Sequence, residues 1–162
     1  MTHANWSCRS AIAGAVVILL SSGVATAGEV ECKCTLTYGY WKTHSEYGPA
    51  PYDASWEYLS DGADTLFFNS GLTYYEMFWE EPAGDLYFAL AHQYAAAELN
   101  LLYGSMAPPA VDAALAGAKM LFEAQGDGDT TLNAMERRKA ARWITTIDNY
   151  NNGVTGPVHC DE

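Results

Sequence analysis

Apolar positions along this 162-residue chain fall into three textures. Residues 11–27 read AIAGAVVILLSSGVATA, an apolar run that decays into small residues. Residues 34–88 are aromatic-rich and broken by Gly and Pro, with fifteen aromatics in the 51 residues from Tyr38 to Phe88. Residues 85–152 are alanine-rich and carry apolar positions at helical spacing.

The last texture predicts three long helices. The first runs from Asp85 to about Tyr103, with Asp85 as its N-cap and Gly104 as its closing residue. Its segment FALAHQYAAAELNLL is apolar nearly all round, which predicts the central helix of a bundle. The second starts at Pro109, a favoured first-turn residue, and runs to about Ala124. Val111, Ala114, Leu115, Ala118, Leu121 and Phe122 form its apolar stripe. The third runs from about Thr131 to Tyr150 and ends at Asn151-Asn152-Gly153, with Leu132, Met135, Ala140, Trp143, Ile144, Ile147 and Tyr150 turned inward.

The aromatic half predicts short helices. Thr73-Tyr74-Tyr75-Glu76 has the T-x-x-E form of a capping box, in which each end satisfies the other's free amide. That helix reaches about Trp79 and stops before Pro82. Thr43-His44-Ser45-Glu46 has the same form, but Gly48-Pro49 ends it within a turn. Asp53 caps a short helix through Trp56 and Leu59, ended by Asp61-Gly62. The expected fold is all-α: three longer helices wrapped by an aromatic, loop-rich N-terminal half of short ones, with the ends joined by a disulfide.

Residues 1–27 read as a secretory signal peptide, with Arg9, the apolar core and Ala25-Thr26-Ala27 as its three parts. The core is shorter than the roughly 20 residues of a membrane span. Residues 28–162 are then expected to form one secreted domain, extracellular or periplasmic, with no membrane span after cleavage. Cleavage leaves 162 − 27 = 135 residues, a length that suits one core. All 20 acidic residues lie in that part and Arg9 is lost, so its charge is 7 − 20 = −13. Such a surface repels nucleic acid and anionic lipid. The one basic cluster, Arg137, Arg138, Lys139 and Arg142, reads as a solvated helix flank.

Cys32, Cys34 and Cys160 remain after cleavage. In an exported chain a disulfide is the default reading, and a bond from Cys34 or Cys32 to Cys160 would tie the two ends together. A bond between Cys32 and Cys34 would close a small strained ring. The competing reading is a zinc site of Cys32, Cys34, His159 and Cys160, whose spacing matches no known finger or ribbon. Neither cofactor nor metal is expected.

Candidate chemistry is dispersed. Glu98 falls on an apolar helix face with Tyr87, Ala91, Tyr94 and Leu102. A carboxylate there is paired, hydrogen-bonded to tyrosine, or shifted up in pKa by desolvation, as catalytic acids also are. His92 points away from Glu98, towards Asp85, Ala96 and Asn100. His44, with Lys42 and Glu46 nearby, could act as a base. These three are the catalytic candidates of a small secreted hydrolase, the alternative function. The loop Gly126-Asp127-Gly128-Asp129 fails the calcium pattern at positions 1 and 6, where Gln125 and Thr130 stand, and reads as a turn. The first functional expectation is a binding module whose partner is a polysaccharide or an extracellular protein. Its surface would be the strip Tyr40, Trp41, His44, Tyr47, Tyr52 and Trp56.

The blocks CTLTYGYWKTHSEYGPAPYDASW, GADTLFF, LAHQYAAAELN and IDNYNNGVTGPVHC resemble a bacterial secreted domain for which no activity is established. The resemblance covers the chain from Cys34 to Cys160 but not QGDGDTTLNAMERRK. It implies Cys34 and Cys160 as the paired ends, with Cys32 the spare thiol, and it transfers no catalytic residues.

Overall fold

The computed structural model describes residues 33–161. The expected leader at 1–27 and the spare Cys32 lie outside the described residues. Five α-helices follow one another: α1 (Tyr38–Thr43), α2 (Tyr74–Trp79), α3 (Leu86–Tyr103), α4 (Pro109–Ala124) and α5 (Ala134–Asn151). Two 3-10 turns, Ala54–Tyr58 and Gly62–Asp64, lie between α1 and α2. The described residues contain no strand, only isolated bridges at Thr35–His159 and Leu66–Thr73. The fold is all-α with three longer helices.

Helix α3 is the central one. Asp85 accepts the Tyr87 amide at 2.8 Å and starts it. Gly104, at φ 111, closes it in the left-handed region where a Cβ would be strained. It packs against α1, α2, α4, α5 and the first 3-10 turn. Neighbours on every side explain why it can be apolar nearly all round: Leu90, Ala91, Ala95, Ala96, Ala97 and Leu99 are fully buried. On α4 the predicted stripe from Val111 to Phe122 is buried as a unit.

Helix α5 starts three residues later than its hydrophobic pattern implied. Asn133 accepts the Met135 and Glu136 amides, and the Glu136 carboxylate accepts the Asn133 amide at 2.8 Å. This Asn-x-x-Glu capping box sets the boundary. Met135, expected inward, is 66% exposed because it sits in that first turn; Ala140, Ile147 and Tyr150 are buried as expected.

The expected box at Thr43-His44-Ser45-Glu46 does not form. Thr37 accepts the Tyr40 amide and starts α1 earlier, so Thr43 ends that helix. The Thr43 hydroxyl donates back to the Gly39 and Tyr40 carbonyls. The box at Thr73 and Glu76 does form.

Cys34 and Cys160 are joined by a disulfide, with Cα atoms 5.1 Å apart. Beside it the Thr35 amide donates to the Val158 carbonyl, and the Cys160 amide to the Thr35 carbonyl, both at 2.9 Å. The N-terminal strap is also fixed from within. Asn100 accepts from the Leu36 amide at 2.8 Å and from Trp41 Nε1 at 3.2 Å, and its own amide donates to the Leu36 carbonyl and to Asn151 Oδ1. Asn151 donates in turn to the carbonyl and the side chain of Gln93. The strap, α3 and α5 therefore share one buried polar network, with both Asn100 side-chain atoms satisfied.

Candidate functional site

The expected aromatic strip does not form one surface. Trp41 is 0% exposed and Trp56 1%, so neither can face a ligand. The reason lies in partners distant along the chain. Asn100 takes the Trp41 indole hydrogen, which removes the cost of burying that polar atom. Trp56 packs edge-on against Phe78 on α2, with ring centroids 5.9 Å apart.

Tyr40 and His44 are half-buried and serve each other. Their rings stack with centroids 3.7 Å apart, and His44 Nδ1 donates to the Tyr40 carbonyl at 2.8 Å. The Tyr40 hydroxyl donates to Asp53 Oδ2 at 3.0 Å, while Asp53 Oδ1 accepts the Ser55 amide at 2.8 Å. Asp53 thus caps the first 3-10 turn and ties it to α1.

A surface cleft of about 440 Å³ opens beside this array, lined by Lys33, Asp53, Ser55, Glu57, Tyr58 and Tyr103. Three segments build it. The disulfide and the strap hold Lys33, whose Nζ lies 4.1 Å from the centre of the Tyr103 ring. The 3-10 turn brings Asp53, Glu57 and Tyr58. The end of α3 brings Tyr103. Tyr58 is 69% exposed at the rim. Tyr52, exposed beside it, has its hydroxyl pKa raised by desolvation and by the Glu57, Glu46 and Asp53 carboxylates. Tyr47 belongs to another exposed row. Its hydroxyl pKa is pushed up to about 12, first by donation to Asp64, and its ring meets Tyr75, which in turn contacts Trp79.

The catalytic candidates occupy three settings. Glu98 accepts from the Tyr74 hydroxyl, and desolvation raises its carboxyl pKa against the opposing effects of that bond and of Lys119. This is the tyrosine-bonded, upward-shifted carboxylate that its helix face implied. His92 is buried and donates from Nε2 to the Met77 carbonyl at 2.8 Å. It stacks on Tyr38, and desolvation lowers its pKa. His44 rests on Tyr40. The structure does not bring the three onto one pocket.

The zinc set needs free thiolates at Cys34 and Cys160, and those sulfurs are bonded to each other. Among the described residues no three His, Cys, Asp or Glu side chains are grouped to hold a metal. The acidic loop is a turn: the Asp129 amide donates to the Gly126 carbonyl, and the Gly128 amide to the Asn69 carbonyl at 2.7 Å. No described helix is long and apolar enough to cross a membrane.

Tyr58, Tyr103 and Lys33 were missed in the sequence because they come from separate segments and carry no motif. Their one local signal is the position of Lys33 next to the disulfide cysteine and of Tyr103 next to the helix-closing Gly104. Compared with protein-family models, with curated proteins and with solved structures, the chain has no match.

Proposed function

We propose that this protein is an exported binding module that takes a segment of neutral polysaccharide in the cleft between the N-terminal strap, the first 3-10 turn and the end of α3. One observation carries the reading: a concave site with exposed tyrosine at its rim and carboxylates at its wall. Its volume falls within the range of small-ligand sites. A sugar ring presents a C–H face, which packs on an aromatic ring, and a hydroxyl edge, which needs hydrogen-bond acceptors and donors. Tyr58 offers the ring. Glu57 accepts from hydroxyls, and Lys33 donates to them. The formal charge of −12, with Asp53 and Glu57 in the wall, favours an uncharged polymer there. The disulfide and the leader-like residues 1–27 support export.

The test is retention on insoluble polysaccharides and on a glycan array. Wild-type protein is retained by at least one neutral polymer, and Tyr58→Ala and Glu57→Gln each weaken retention by about tenfold. Both side chains are exposed, so folding survives. Absence of retention by every neutral polymer, or variants that bind like wild type, rejects the reading.

A further inference from the structure

An exposed basic strip lies on the outer face of α5. The described cations outside this helix are Lys33, Lys42 and Lys119, and each is engaged. Lys33 covers the Tyr103 ring, Lys42 covers the Trp79 ring at 4.2 Å, and Lys119 pairs with Glu123 at 3.8 Å. Arg137, Arg138, Lys139 and Arg142 are all exposed, and among the described residues no ion pair or ring contact engages them. The one carboxylate in their turn of helix, Glu136, is committed to the Asn133 amide.

This grouping runs against local physics. Arg138 and Arg142 stand four apart and Lys139 and Arg142 three apart, spacings at which like charges repel by roughly 0.2–0.5 kcal/mol a pair. Arg137 follows directly on the first turn, the end where the helix dipole disfavours cations. Among the described acidic residues, none relieves the cluster by an ion pair. Local rules broken without structural compensation are expected where a residue serves something outside the fold.

We propose that this strip binds a linear acidic polysaccharide bearing repeated carboxylate or sulfate groups. Three of the four residues are arginine, whose planar fork pairs bidentately with such groups. The strip runs about 7.5 Å along the axis, the reach of a short run of sugar units. Carboxylates elsewhere on the surface are screened beyond about 8 Å at physiological salt, so a thin chain meets the strip as locally positive. A second copy of the protein fits less well. The face offers Met135 as its one large exposed apolar side chain, and protein interfaces need an apolar centre. Duplex DNA, with a charge every ~1.7 Å and a broad body, would push excess phosphates over the acidic flanks. The inference rests on α5 alone and does not need the cleft.

Polygalacturonate is the probe, titrated into the protein at near-physiological salt and at roughly 1 M salt. Wild type binds, more weakly as salt rises. Arg138→Ala/Arg142→Ala binds at least about tenfold more weakly, the loss expected for two charge-assisted contacts. Lys119→Ala binds like wild type, and far-UV circular dichroism reports an unchanged fold for all variants. Four results overturn the proposal: no binding at near-physiological salt, a double variant that binds like wild type, uncharged dextran bound equally well, or duplex DNA bound more tightly.

Discussion

Asn100 on α3 donates to Asn151 on α5 at 3.0 Å in the interior of the protein, and both side chains are fully buried. The same Asn100 also holds both backbone groups of Leu36 and the indole of Trp41. Replacing it with alanine leaves all four partner groups buried and unpaired. Asn100→Ala should cost about 3–5 kcal/mol, measured as the fall in urea unfolding free energy. A cost below about 1 kcal/mol would mean that water or rearrangement replaces the network.

The disulfide closes a loop with a sequence separation of 126 residues. On the chain-entropy account this stabilises the fold by up to about 5 kcal/mol. Reduction, or Cys34→Ser with Cys160→Ser, should shift the urea midpoint down accordingly. The variant's strap should also exchange its Thr35 and Leu36 amides faster than wild type. An unchanged midpoint would show that the Asn100 network alone secures the strap.

Glu98 holds its proton more tightly in the fold than its ordinary pKa of 4.5 allows, because burial disfavours the charged form. The sign follows from linkage. A carboxyl with a raised folded pKa contributes stability that is present below 4.5 and lost as pH rises through the folded value. Glu98→Gln keeps an acceptor for the Tyr74 hydroxyl and removes the titration. Unfolding free energies from acid to neutral pH should therefore fall more for wild type than for the variant. Parallel curves would place the carboxylate in a wetter setting.

Gly117 on α4 faces the Trp143 ring of α5, where an added Cβ would stand 2.4 Å from Cζ2. Gly117→Ala gains up to about 1 kcal/mol of helix propensity, yet the overpacking costs about 1–3 kcal/mol. The expected net effect is destabilisation, seen as a lower melting temperature and altered Trp143 fluorescence. A stabilised variant would show that the indole can move aside.

What was legible in the sequence was periodic or capped. The burial of α3, the stripe of α4 and the capping box at Thr73 follow from spacing alone, and so does the environment of Glu98. The start of α5 shifted because Asn133 and Glu136 form a box that the apolar pattern overran. Helix α1 was missed because its sequence, YGYWKT, has a glycine and no apolar repeat; Thr37 and the buried Trp41 sustain it. Trp41 and Trp56 could not be told from exposed rings by composition, since their burial depends on partners far along the chain, Asn100 and Phe78. The cleft joins residues 33, 53–58 and 103, which no local pattern relates.

Amide chemical-shift mapping with fragments of a retained neutral polysaccharide locates the binding site on the protein. Saturable shifts are expected at Lys33, at Asp53 through Tyr58 and at Tyr103, and they are lost in Tyr58→Ala. Shifts clustered elsewhere on the surface, or none at saturating fragment, would contradict binding in the cleft.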